Sequence, residues 1–314
     1  MSPRISVIIP TQRRPGPLAL ALGSALAQAG IEPSEVEVVI ADNDAEPSAR
    51  AQVEAMAAGA PFAVVYAHEP APGVANVRNA AMAVARGELI AFLDDDEEAP
   101  PNWLAELARV RETYDADVVF GPVRGRAPPA QHRHRAYFEA FFSRTDPAPE
   151  GVFERYYGCG CSLVRRAALP DPRRPFSPDR NQQGGEDDLL FAQMKAAGAR
   201  FAWAPQAWVW EDPAPDRLTL AYTLKRAFAY GQGPTVQCAA QVPPDYLGIA
   251  RWTLIGLAQA LVYGLAAAAL WLARAPSRAW MLDRTMRGLG KVFWGEPFAI
   301  RIYGQPAARR VRSG

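Results

Sequence analysis

Four short apolar, β-branched runs, at residues 5–9, 36–40, 62–66 and 89–93, alternate with stretches of helical periodicity. Pro15 and Pro17 suit a helix start, and Leu18, Leu22 and Leu26 recur on one helical face. Residues 48–58 and 74–85 read as two further helices, the first followed by Gly59. Strand and helix in strict alternation predict a parallel sheet joined by right-handed crossovers. In such sheets ligands sit beyond the carboxyl ends of the strands. Pro10-Thr11, Asp42-Asn43-Asp44 and Asp94 to Asp96 all fall at those ends.

The fourth run empties, with no turn residue, into five consecutive carboxylates, Asp94, Asp95, Asp96, Glu97 and Glu98. Like charges this close repel, and burying one without a partner costs several kcal/mol or forces protonation. A hard divalent cation with oxygen ligands would relieve the cluster. A solvated acidic turn, ahead of a helix opened by Pro100-Pro101-Asn102, is the competing explanation. A second acidic motif runs from Gln183 through Gly184-Gly185 to Glu186-Asp187-Asp188. Its glycines permit a tight turn, and its carboxylates then occupy the first turn of a helix reaching about Ala197. The helix dipole favours anions there by ~0.3–1 kcal/mol, so helix capping competes with a catalytic role.

Further along, residues 103–114 read as a helix, 118–120 as a strand, 158–164 as a glycine-bearing strand and 200–204 as a short strand. A helix over 217–230 carries Lys225 and Arg226. The patch His132-Arg133-His134-Arg135 reads as a solvated basic loop rather than a metal site. Cys159 and Cys161, without further Cys or His partners, make a poor zinc site. The chain has 314 residues and three cysteines, too few for a disulfide framework, which suggests a reducing compartment. No long apolar stretch precedes the first strand, so no signal peptide is expected.

Residues 5–11, Asp42-Asn43-Asp44, Ala75-Asn-Val-Arg-Asn79, residues 87–96 and Gly185-Glu-Asp187 stand in the order and approximate spacing of family 2 glycosyltransferases. The resemblance covers about residues 4–232, and the stretch from Gly184 through Arg217 to Gly231 is similar to succinoglycan-type bacterial exopolysaccharide transferases. It implies an α/β fold of the GT-A type and inverting transfer of a sugar from a nucleotide-sugar, a UDP-sugar being expected. The acceptor would be a saccharide, lipid-linked in relatives of this type, at the inner membrane.

By the same resemblance, Pro10, Thr11, Arg13, Asp42, Asp44, Arg78, Asp94 and Asp95 would hold the donor. Arg226 would be a phosphate contact. Asp94 to Asp96 would be the DxD motif holding Mg²⁺ or Mn²⁺, with Asp96 and Asp94 as ligands. Asp187 would be the general base, with Glu186 or Asp188 as its substitute. One departure stands out. Many relatives carry a histidine near the metal site after the base-bearing helix, whereas histidines occur here only at 68, 132 and 134, and the corresponding stretch reads Trp208-Val-Trp-Glu211.

Residues 274–314 hold nine Lys/Arg and two Asp/Glu, a balance of +7, which leaves −6 for residues 1–273 out of the total of +1. Residues 252–273 contain no charge and are framed by tryptophans. A spanning helix fits by length, but the cationic tail would then lie outside, against the positive-inside tendency. A segment lying in the membrane surface fits both facts, with a plain buried helix pair as the competing explanation. The expected division is a catalytic domain over 1–232 and a helical, basic, membrane-associated region over 233–314, peripheral or monotopic on the cytoplasmic face of the inner membrane. No nucleic-acid partner is expected. The competing functions are a sugar nucleotidyltransferase, for which the loop after the first strand lacks the glycine cluster, and a catalytically silent nucleotide-sugar-binding protein, against which the presence of both Asp96 and Asp187 argues.

Overall fold

The computed structural model describes residues 3–131, 133–181 and 184–300. His132, Gln182, Gln183 and the tail from Arg301, with Arg301, Arg309, Arg310 and Arg312, lie outside the described residues. In chain order the first elements are β1 (Ile5–Thr11), α1 (Pro15–Leu26), β2 (Val36–Asp42), α2 (Arg50–Ala57), β3 (Ala63–His68), α3 (Val74–Val84), β4 (Leu89–Phe92) and β5 (Glu97–Glu98). They are followed by α4 (Trp103–Thr113), β6 (Val118–Phe120), β7 (Val123–Gly125), α5 (Arg135–Phe142), β8 (Gly151–Val152), β9 (Ser162–Arg165) and α6 (Glu186–Ala196). The last are β10 (Phe201–Trp203), β11 (Val209–Glu211), α7 (Leu220–Ala239), α8 (Tyr246–Leu272) and α9 (Arg278–Val292).

The chain divides into two compact units, Met1–Arg126 with Phe142–Asp212, and Ala127–Phe141 with Pro213–Gly314. The first unit is built on an eight-stranded sheet in the order β3-β2-β1-β4-β9-β6-β10-β8. Its first four members are parallel, with Ile5 level with both Val36 and Leu89. The sheet is not wholly parallel, because β9 runs against both β4 and β6. The strand expected over 158–164 shortens to Ser162–Arg165, since Cys161 takes a left-handed backbone (φ 58°) and the chain turns there.

Apolar side chains cover both faces of the sheet, as a parallel core requires. Leu18, Leu22, Trp103, Leu104 and Leu107 fill one side, so α1 and α4 pack there. Val77, Met82, Leu190, Phe191 and Met194 fill the other, so α3 and α6 pack there. A small second sheet, β5-β11-β7, carries Glu97 and Glu98 on its edge.

The second unit is helical. The helix expected to stop at residue 230 continues through Pro234 to Ala239. Its extra turns are held by α9: Gln232 Nε2 donates to Phe293 O at 2.8 Å and Thr235 Oγ1 to Lys291 O at 3.0 Å. The domain boundary expected after 232 falls inside this helix, and the chain divides after Asp212 instead. α9 approaches α7 closely because it presents glycine. A Cβ on Gly290 would sit 2.1 Å from Phe228 O, and one on Gly231 would sit 2.3 Å from Arg287 O. α9 itself was not legible in the sequence.

The apolar run expected over 252–273 is part of a longer helix, α8, capped where Asp245 Oδ1 accepts from Gly248 N at 2.8 Å. Among the described residues α8 is the one helix long and apolar enough to cross a membrane, by length and composition. Gly256 lies against Gly288 of α9, while Leu247, Leu254, Leu261, Leu265 and Leu272 stay exposed. The basic patch is corrected in part. His134 is buried, its Nδ1 donates to Pro276 O at 3.1 Å, and burial holds its pKa below the ordinary value.

Candidate active site

The carboxyl ends of β1, β2 and β4 bring the expected loops together at one edge of the first unit. Thr11, the last residue of β1, is buried, and its hydroxyl donates to Asp95 Oδ2 at 2.8 Å. Pro10 lies beside Ala41 in the sheet register. Asp42 ends β2 with its carboxylate turned inward, where it accepts from Asp44 N (3.1 Å), Ala49 N (2.8 Å) and the Tyr66 hydroxyl (2.8 Å). That shapes the loop from inside. Asp44 is clamped by Arg13, whose Nε reaches both carboxylate oxygens at 2.8 Å. The Arg13 hydrogen bond, ahead of those from the Ser48 side chain and the Ala45 amide, holds the Asp44 pKa down to about 2.

The five carboxylates after β4 are not a solvated turn. Each is met by an arginine, and four different arginines share the task. Arg78 Nη2 donates to Asp94 Oδ1 at 3.2 Å. Arg14 donates through Nη1 to Asp95 and through Nη2 to Asp96 Oδ2 at 3.1 Å. Arg144 Nη2 donates to buried Glu97 at 3.0 Å, and Arg126 Nη2 donates to Glu98 at 2.6 Å. Burial pushes Asp95 up to about 7, against the pull of Arg14. Burial likewise raises Glu97, helped by the Asp94 charge.

The second acidic motif opens α6 from Gly185, which is left-handed (φ 77°). Capping explains little of it. Glu186 is drawn inward to Arg78, whose Nη1 donates to its Oε1 at 2.5 Å. Burial raises the Glu186 pKa, partly offset by Arg78. Asp187 faces the acidic edge: its Oδ2 accepts from Cys159 N at 3.3 Å and lies 4.0 Å from Arg78 Nη1. Its side chain is 21% exposed against 5% for Glu186. Arg78 is thus buried among Asp94, Glu186 and Asp187, and stacks on Phe176 at 5.6 Å. Burial opposes its charge, but the surrounding anions more than restore it.

Gly160 makes this crowding possible. A Cβ there would lie 2.4 Å from Glu97 Oε1 and 3.0 Å from Asp94 Oδ2. The stretch that lacks the histidine of relatives forms β11, beside β5, and Asp212 N donates to Asp96 O at 2.8 Å. Its acidic side chains are held by arginine. Glu211 faces Arg144 at 3.4 Å, and Asp212 accepts from Arg126 at 2.6 and 2.7 Å.

Asp94, with its side chain 32% exposed, and Asp96 offer two carboxylates to a cation. Among the described residues no group of three His, Cys, Asp or Glu gathers around one point. Magnesium takes one or two carboxylates, keeps waters and completes its shell with phosphate oxygens. That sparse donor set is the one these residues fit.

Sequence reasoning missed Arg14, Arg126 and Arg144. Arg14 could have been flagged as the neighbour of Arg13 in the loop after β1; nothing local pointed to the other two. Arg226 belongs to the second unit, where it stacks on Tyr222 and Tyr230 and donates to both hydroxyls, at 3.1 and 2.5 Å.

Residues 6–171 match the family model described as "Glycosyl transferase family 2". The succinoglycan biosynthesis protein ExoM of Rhizobium meliloti (strain 1021) is 37% identical over 228 residues, 73% of this chain and 73% of that protein. Among solved structures, the mannosyltransferase PcManGT of Pyrobaculum calidifontis, in complex with GDP-Man and Mn²⁺, is 19% identical, with a TM-score of 0.59 over 94% of this chain and 88% of that one. S. aureus TarS 1–349, in complex with UDP-GlcNAc, is 16% identical, with a TM-score of 0.53 over 92% and 90%. Another TarS crystal structure is spanned over 39% of its chain. At these identities the solved structures speak to the fold.

Proposed function

The chain belongs to glycosyltransferase family 2 and has the GT-A fold, and from that premise we propose that it transfers a sugar from a nucleotide-sugar to a saccharide acceptor with inversion. The observation that carries this reading is the accessible carboxylate of Asp187 beside the arginine-laced edge at Asp94 to Asp96. The donor diphosphate would lie over that edge, with the nucleoside among the loops carrying Pro10, Thr11, Arg13, Asp42 and Asp44. A UDP donor agrees with the TarS complex, and GDP with the PcManGT complex. The naming of ExoM for succinoglycan biosynthesis supports an exopolysaccharide product, and the acceptor in this proposal is lipid-linked.

In this reading Asp187 takes the proton of the acceptor hydroxyl as that oxygen bonds to the anomeric carbon. The bond from that carbon to the diphosphate breaks on the opposite face. Glu186, raised in pKa by burial and paired to Arg78, keeps Arg78 in place. Mg²⁺ or Mn²⁺ on Asp94 and Asp96 would neutralise charge on the departing nucleoside diphosphate. Preorganised positive charge matters most where negative charge develops.

The second unit supports placement at a membrane surface. α8 is about 40 Å long at 1.5 Å per residue, and its exposed leucines form an apolar face. Crossing the bilayer would carry α9 with it. Lys291 Nζ donates to Gln259 Oε1 at 3.1 Å, and Arg284 Nη1 to Tyr263 OH at 2.8 Å, so charges flank the middle of α8. Intramembrane charge is costly, which favours an in-plane helix on the cytoplasmic side, where the nucleotide-sugar is.

Two experiments test the reading. Calorimetry with UDP-, GDP- and TDP-sugars, with and without Mn²⁺, should give metal-dependent binding of one nucleotide class; binding of none sinks it. Sedimentation with anionic vesicles should pellet the full chain, and L254E/L261E/L265E should release it. Equal pelleting of the variant removes α8 from the contact.

A further inference from the structure

The loop after β1 carries two adjacent arginines with different partners. Arg13 turns back onto Asp44. Arg14 turns into the acidic edge, where one guanidinium bridges Asp95 Oδ1 and Asp96 Oδ2. Its backbone is anchored, since Arg14 O accepts from Leu18 N at 3.0 Å as α1 begins. Its side chain is only 24% exposed. Asp95 is also held from its other oxygen by Thr11, so the guanidinium is seated on a carboxylate that is itself fixed.

A guanidinium is a planar, permanently charged fork that suits carboxylates and phosphates equally. A divalent cation approaching Asp96 from water therefore meets an oxygen that Arg14 already neutralises. Removing the fork from Asp96 without giving it another anion would leave a partly buried cation short of partners, which is costly. A diphosphate supplies that other anion, and at the same time supplies the oxygens a sparse metal site lacks.

We propose that Arg14 is the resident counter-cation of the acidic edge, displaced from Asp96 by a divalent metal only when a nucleoside diphosphate takes over the guanidinium. This rests on the donor and metal reading given above and deepens it. Metal and nucleotide then enter together: the free protein holds the metal only weakly, and the swap exchanges one charge-assisted pair for another. Arg14 acts as a positioning residue, since Asp95 and Asp96 are what it arranges.

The test is Mn²⁺ titration of the full chain followed by electron paramagnetic resonance, with and without UDP, for the wild type, R14Q and R14K. The wild type should bind Mn²⁺ weakly alone and tightly with UDP. R14Q should bind Mn²⁺ alone about tenfold more tightly than the wild type, equivalent to about 1.4 kcal/mol, and gain much less from UDP. R14K should fall between, because an ammonium cannot bridge two carboxylates as a fork does. Circular dichroism checks folding, and if R14Q does not fold, R14K carries the comparison. If the variants bind Mn²⁺ alone no better than the wild type, while the wild type binds it with UDP, the role of Arg14 is overturned and the metal reading stands. If the wild type binds no Mn²⁺ even with UDP, both are overturned.

Discussion

Arg78 and Glu186, 108 residues apart in the chain, form a buried ion pair at 2.5 Å that joins helix α3 to the first turn of α6. The same guanidinium reaches Asp94 at 3.2 Å, so one side chain ties together the two acidic motifs. Arg78→Met should therefore destabilise the first unit by about 3–5 kcal/mol, the cost of breaking a buried pair. R78M/E186L should recover most of that loss, because the buried carboxylate goes with its partner, while Asp94 and Asp187 keep partial access to water. Urea unfolding of both variants decides it; a loss below ~1 kcal/mol in Arg78→Met would show that the pair is not closed in solution.

Gly160→Ala should leave the fold in place and weaken nucleotide binding about tenfold, or ~1.4 kcal/mol. The added Cβ meets the ends of Glu97 and Asp94 rather than backbone, so these carboxylates move and the first unit does not. Calorimetry with UDP and Mn²⁺ measures the effect, and unchanged affinity would place the diphosphate elsewhere.

The Arg13–Asp44 clamp predicts a pH dependence. Asp44 has its pKa lowered from near 3.8 to about 2 in the folded chain. A depressed carboxylate gives stability that is fully present above its unfolded pKa and is lost as pH falls through the folded one. The contribution should thus fade between about pH 4 and pH 2. Arg13→Gln should flatten that part of the stability curve, measured by thermal unfolding across the acid range. Identical acid limbs for the two proteins would remove the clamp from the account.

Much of this was legible in the residues themselves. The runs ending at Thr11, Asp42 and Phe92 became β1, β2 and β4 because β-branched residues between helical stretches leave few alternatives. The gathering of Thr11 and Asp94 to Asp96 at one edge follows from that topology. What could not be read was who neutralises the acids. Arg144 and Glu97 are 47 residues apart, and Arg126 and Asp212 are 86 apart, so no local pattern links them. The extension of α7 through Pro234 was equally hidden, since its support comes from Lys291 and Phe293 in a helix the periodicity did not reveal.

Two helix glycines, one in each unit, give predictions of opposite sign. Gly290→Ala puts a Cβ against the Phe228 carbonyl and should cost about 1–3 kcal/mol by overpacking. Gly23→Ala, inside α1 with open space around it, should stabilise by roughly 0.5–1 kcal/mol. Thermal melts of the two variants check it. A tolerated Gly290→Ala would mean that α7 and α9 do not pack this closely.

The central claim, that Asp187 is the base acting across an edge organised by Arg78, is tested most directly by single-turnover transfer with Asp187→Asn. The variant keeps the size of the side chain and an oxygen for the Cys159 amide, so the nucleotide-sugar should bind nearly as in the wild type. The transfer step should fall by ~10²–10⁴, the usual share of a general base. Turnover within a few-fold of the wild type, at unchanged donor affinity, would contradict the assignment.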